Sequence, residues 1–139
     1  MEAHLVHESD DNRIAVIGII YKIGCPDSFL SMIQPDLQAI ADTHDIEKIV
    51  GIIDPKLIKF GSIKYYRYIG SLTVPPCTQN IVWTVLKKVR TVAQDQVLLI
   101  RKAVDDAAEA NARPVQPLNE RWIYLYKPKH HQLTEIGYA

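Results

Sequence analysis

Tyr68-Ile69-Gly70-Ser71-Leu72-Thr73-Val74-Pro75-Pro76-Cys77 is the stretch on which the reading of this chain turns. Its paired prolines fix φ at consecutive positions, so the loop from Gly70 to Pro76 is held stiffly. Strand-like runs flank it. Lys64-Tyr65-Tyr66-Arg67-Tyr68-Ile69 precedes it and is rich in aromatic residues, and Asn80-Ile81-Val82-Trp83-Thr84-Val85-Leu86 follows it. Read alone, Thr73 is a loop threonine packed beside two prolines.

Towards the N-terminus, Asp45 to Ile63 is irregular, punctuated by Gly51, Asp54-Pro55 and Gly61, with an apolar residue at nearly every second or third place. It reads as a packed loop and not a linker. Before it, Asp27 is placed to cap a helix with Phe29, Leu30 and Ile33 at helical spacing, which Pro35 ends before a second turn of helix through Leu37 and Ile40. Further upstream, Ala3-His4-Leu5-Val6-His7-Glu8 and Ile14-Ala15-Val16-Ile17-Gly18-Ile19-Ile20-Tyr21 flank the turn residues Ser9 to Asn12 and predict a hairpin buried on both faces. His4 and His7 are three apart, so alternation sends them to opposite faces and they cannot share a metal from that strand.

Towards the C-terminus, the spacing of Val97, Ile100, Val104 and Ala107 predicts a helix over about 93–109. Asn111 and Pro114 stop it, Arg121 to Tyr126 reads as a last strand, and residues 127–139 form a polar tail expected to fray. The expected fold class is mixed α/β, mainly β, with residues 1–126 as one domain portion and 127–139 as its tail.

Sixteen basic residues balance sixteen acidic ones, so no net field draws the chain to nucleic acid or an anionic membrane. Hydrophobic residues at 47% and charged residues at 23% exclude disorder and coiled coil. Apolar runs are too short to span a membrane. Met1-Glu2-Ala3-His4 is neither the basic start nor the apolar core of a signal or transit peptide, so targeting information is expected to lie outside this chain. His130-His131 with Lys127 and Lys129 is too small a patch to anchor nucleic acid and reads as solvated tail.

Four segments taken in order resemble the C-terminal part of an α-class carbonic anhydrase. Glu2-Ala3-His4-Leu5-Val6-His7 is similar to the strand carrying that family's third zinc histidine, and Ala15-Val16-Ile17-Gly18 to the next strand. Gly70 to Pro76, with Ile81-Val82-Trp83 after it, looks like the family's active-site loop, and Asn111-Ala112-Arg113-Pro114-Val115-Gln116-Pro117-Leu118 like its late structural motif. Cys77 after the prolines and the stretch Tyr21 to Asp27 resemble plant members most. The resemblance implies a partial form of the family's fold, a central, mostly antiparallel twisted sheet with peripheral helices, lacking its N-terminal strands.

The resemblance also implies roles. His4 is the zinc ligand, and Glu2 is the carboxylate that orients a ligand histidine and raises its basicity. His7, on the other face, is then a core residue. Thr73 is the gatekeeper that accepts a hydrogen bond from zinc-bound hydroxide and turns its lone pair towards substrate. Val6, Val16, Leu72, Ile81 and Trp83 form the apolar wall for carbon dioxide, and Val74 stands where many members carry Thr or His. The implied activity is reversible hydration of carbon dioxide to bicarbonate, with zinc lowering the pKa of its bound water to about 7.

The family's other two ligands sit on a His-x-His strand, a pattern that occurs nowhere in this sequence. The usual glutamate partner of Thr73, the proton-shuttle histidine and the cysteine that pairs with Cys77 are absent with it. The chain as given is therefore expected to be a sequence cut short, its start placed inside an exon, that does not retain zinc and is not active. The rival expectation is a zinc-free, carbonic-anhydrase-like binding or storage protein. Small-molecule substrates, carbon dioxide and bicarbonate, are the implied partners, without nucleic acid or membrane. Missing strands would leave an open sheet edge that promotes self-association or poor solubility. Cys25 and Cys77 are expected as free thiols, and the resemblance points to a secretory or plastid-stroma location.

Overall fold

A computed structural model describes residues 1–43, 47–58, 60–61, 63–104, 111–128 and 132–136. The chain divides into two compact units: one formed by Glu2–Ile20, Phe60–Val89 and Arg113–Ala139, the other by Met1, Tyr21–Lys59 and Arg90–Ala112.

The first unit is a sheet. Strands β1 (Glu2–Glu8), β2 (Ile14–Ile23), β3 (Tyr65–Ser71), β4 (Gln79–Leu86), β6 (Ile123–Lys127) and β7 (Gln132–Ile136) lie in the order β1-β2-β4-β3-β6-β7. All neighbours are antiparallel except β2 and β4, which run parallel. Alternation writes the core: Val16, Ile81 and Trp83 are fully buried together, with Ile14, Tyr68, Leu72 and Val85 packed against them. Gly70 is required there, because a Cβ would stand 2.9 Å from the Tyr68 ring and 3.3 Å from that of Trp83.

The expected hairpin is present, but it is not buried on both faces. β2 is an inner strand with Val16, Gly18, Ile19 and Tyr21 buried, whereas β1 ends the sheet and Val6 is 62% exposed. A strand paired on one side only has little to bury against. His7 follows from this: it is exposed, with Nδ1 3.1 Å from the Leu5 carbonyl, and is not the core residue expected. Where a fraying tail was expected after Lys127, β7 pairs with β6.

The second unit is built around two helices, α1 (Ser28–Thr43) and α2 (Gln94–Ala103), which pack on each other. Here the end of β2, Tyr21 to Ile23, pairs in parallel with the short strand β5 (Arg90–Val92). Asp27 caps α1 as its sequence position suggests: one carboxylate oxygen accepts the Phe29 and Leu30 N–H groups at 3.0 and 3.1 Å, and the other pairs with Arg90. Pro35 does not end the helix, which runs through it to Thr43. The described part of α2 ends at Ala103, and Ala107 of the expected stripe lies outside the described residues.

The segment 47–63 departs most from expectation. A 3-10 turn at Pro55–Leu57 and the buried Ile58 are set in it, but Ile49 and Ile52 are almost wholly exposed and Ile63 is 68% exposed. Its described residues are not those of a packed loop. Among the described residues no helix is long and apolar enough to cross a membrane.

Candidate functional site

Register brings the residues picked from sequence onto one sheet face. His4 lies opposite Gly18 and Val6 opposite Val16, and β2 then sets Val16 beside Trp83 and Gly18 beside Val85. Directly paired residues share a face, so Glu2, His4, Val6, Val16 and Trp83 all look the same way. With no side chain on Gly18, the His4 ring meets Trp83 edge-on, ring centroids 4.8 Å apart.

Glu2 and His4, two apart on one strand, touch: the Glu2 carboxylate is hydrogen-bonded to Nε2 of His4. A carboxylate on Nε2 favours the proton there and leaves Nδ1 as the ring nitrogen available to a cation. The His4 side chain is 27% exposed, so that nitrogen is not sealed in the core. His44 and His130-His131 lie outside the described residues.

The loop carrying Thr73 is fastened at several points. Trp83 donates its indole N–H to the Ser71 carbonyl at 2.9 Å, Leu72 N–H bonds to the Thr78 carbonyl at 2.9 Å, and a turn joins Cys77 N–H to the Val74 carbonyl at 2.8 Å around a cis Pro75-Pro76 peptide. Arg113 adds a brace that sequence reading missed, its guanidinium donating to the Ser71 hydroxyl and the Leu72 carbonyl at 3.2 and 3.3 Å. The available signal was an arginine set directly before Pro114 in the proline-containing segment 111–118.

Thr73 lines a cleft of about 830 Å³ whose wall also includes Glu2, Tyr68, Trp83, Gln79 and Arg121. Tyr68, stacked on Trp83, has its phenol pKa raised, first by burial and then by the nearby Glu2 carboxylate, with Arg121 pulling the other way. Of the expected apolar wall, Val16, Ile81, Trp83 and Leu72 pack together, while Val6 and Val74 are exposed, at 62% and 60%. Both cysteines are free thiols. Among the described residues no three His, Cys, Asp or Glu side chains converge on a point that could hold a metal ion.

Residues 1–127 match the family model for eukaryotic-type carbonic anhydrase. Alpha carbonic anhydrase 7 of Arabidopsis thaliana is 55% identical over 128 residues, covering 92% of this chain and 46% of that protein. A crystal structure of dioscorin complexed with ascorbate superposes with a TM-score of 0.85 at 43% identity, over 91% of this chain and 53% of that one. The α-carbonic anhydrase of Thermovibrio ammonificans, solved with the inhibitor sulfanilamide, gives a TM-score of 0.70 at 32% identity, over 88% and 52%. The chain thus spans about half the length of the relatives it matches.

Proposed function

The chain belongs to the eukaryotic-type, α-class carbonic anhydrase family, and from that premise we propose that it supplies part of a carbon dioxide hydration site without being an active enzyme by itself. Its share is His4, supported by Glu2, the hydroxyl of Thr73, and an apolar wall of Val16, Leu72, Ile81 and Trp83. The observation that carries this reading is the Glu2–His4 pair, which leaves Nδ1 of His4 available on the face where Trp83 and Val16 lie.

The family is zinc-dependent. The described residues do not fit a zinc ion on their own, since a catalytic zinc takes three protein ligands and no three candidate side chains among them converge. No step of the hydration is therefore assigned to this chain acting alone. Its own residues act in other ways: Glu2 holds the imidazole in one tautomer, Thr73 offers a hydroxyl that both donates and accepts, and the buried wall keeps water from an apolar solute. Carbon dioxide and bicarbonate are the partners of this reading, without nucleic acid or membrane.

The test compares the 139-residue chain with a longer one carrying a His-x-His strand ahead of it. Zinc content by plasma mass spectrometry and carbon dioxide hydration by stopped flow are expected to be negligible in the first. Both should appear in the second and disappear again with His4→Ala. Stoichiometric zinc and turnover in the short chain would refute the reading. A longer chain that folds but neither binds zinc nor turns over would instead favour a binding or storage protein.

A further inference from the structure

The loop that carries Thr73 is fixed one peptide group at a time. Register shifts between Gly70 and Ser71, where an irregularity re-aims the end of β3. The peptide group joining Ser71 to Leu72 is held on both sides: its carbonyl accepts the Trp83 indole N–H and its N–H donates to the Thr78 carbonyl, each at 2.9 Å. The next peptide group, joining Leu72 to Thr73, is held among the described residues by Arg113 alone. One guanidinium nitrogen, Nη1, lies 3.3 Å from the Leu72 carbonyl and 3.2 Å from the Ser71 hydroxyl. The segment from which Arg113 reaches is itself tied down, because Arg121 donates to the Pro117 and Leu118 carbonyls at 2.7 Å each.

We propose that Arg113 is a positioning residue for Thr73, a role that rests on the carbon dioxide hydration reading of the site. A peptide group is planar, so holding the Leu72 carbonyl constrains the torsions on either side of it, ψ of Leu72 and φ of Thr73. Threonine is stiff about χ1, so the direction of its backbone carries through to its hydroxyl. A charged donor holds a carbonyl more firmly than a neutral one. Because one nitrogen serves Ser71 and Leu72 together, the brace also sets the loop against segment 111–118. Removing it leaves the Thr73 hydroxyl chemically intact but free to swing, and small misplacements of a group that must meet a reactant cost rate steeply.

In the 139-residue chain, amide hydrogen exchange followed by nuclear magnetic resonance is expected to quicken about fivefold or more at Leu72 and Cys77 on Arg113→Met, with the amides of β2 and β4 unchanged. In the longer chain carrying a His-x-His strand, Arg113→Met should lower kcat/KM for carbon dioxide hydration by about tenfold at unchanged zinc content and urea midpoint. In a Thr73→Ala background the same substitution should change the rate less than about twofold, because the arginine acts through the threonine. A brace that served only the fold would cost as much in both backgrounds. Equal losses in the two backgrounds, a rate indifferent to Arg113→Met, or exchange at Leu72 and Cys77 that does not quicken overturns the positioning role and leaves the reading of the site standing. A longer chain that folds but does not turn over before any substitution refutes that reading, and the role falls with it. Should Arg113→Met fail to fold, Arg113→Gln, with its shorter reach, is read in the same way.

Discussion

Gln96 is a neutral amide buried where an apolar residue would be expected, and its four hydrogen bonds explain why. Its Oε1 accepts from the N–H groups of Asp27 and Ala93 at 2.8 and 3.2 Å, and its Nε2 donates to the Asp27 carbonyl and the Ser31 hydroxyl, both at 2.9 Å. One side chain thereby satisfies the Asp27 and Ala93 N–H groups at the starts of both helices, groups that a helix leaves without partners of its own. Replacing it by an apolar residue of similar size would strand these groups away from water, at a cost of about 1–3 kcal/mol for each one left unsatisfied. Gln96→Leu is therefore expected to lower unfolding stability by about 3 kcal/mol in urea titrations. A loss below about 1 kcal/mol would mean that water replaces the amide. The residue escaped sequence reading because periodicity ranks positions by apolar character, and Gln96 lies beside the predicted stripe rather than on it.

At the scale of elements, Pro35 shows where a local rule yields to packing. Proline removes the N–H that would bond to the Ser31 carbonyl and crowds that carbonyl, a reason to expect a helix to stop. α1 continues because its first turn is capped by Asp27 and its length packs on α2, while Pro35 itself faces solvent. Pro35→Ala should restore the missing bond and raise stability by about 1–2 kcal/mol, somewhat less than the full helix penalty because proline also restrains the unfolded chain. A fall in the thermal midpoint would show that the helix needs the bend proline imposes. Elements whose pattern is set by their own neighbours were legible in the sequence: β2 and β4 from β-branched runs, and the Thr73 loop from its prolines. Features that depend on what lies alongside were not. The exposure of β1 and of Val6 depends on a partner strand, the exposure of Ile49 and Ile52 on a covering surface, and β7 forms on β6 in a stretch whose composition reads as tail. The candidate site divides the same way: Glu2, His4 and Trp83 meet as strand alternation requires, whereas Arg113 reaches the loop from 40 or so residues away, a link no local pattern carries.

For the whole molecule, the shared property of the two units is a tyrosine drawn wholly or partly out of water near a carboxylate, Tyr21 buried and Tyr68 half-buried. Tyr21 has its pKa raised above 10.0 chiefly by burial and then by Asp27, with Arg90 opposing, and Tyr68 is raised by burial and Glu2 with Arg121 opposing. In both, the folded state holds the proton more tightly than the unfolded chain, whose tyrosines titrate near 10. The sign follows from linkage: this stabilisation is complete below about pH 10, and declines as the pH rises from the unfolded value through the folded one, where unfolding releases a proton. Both units are thus expected to weaken together in alkali, seen as a lower urea midpoint at about pH 11 than at about pH 9. Tyr21→Phe combined with Tyr68→Phe should flatten that decline, since neither ring then carries a proton to lose, and the residual slope would belong to lysines titrating in the same range. A midpoint that rises between those two pH values, or a slope untouched by the double substitution, would show that neither phenol is held in its neutral form by the fold.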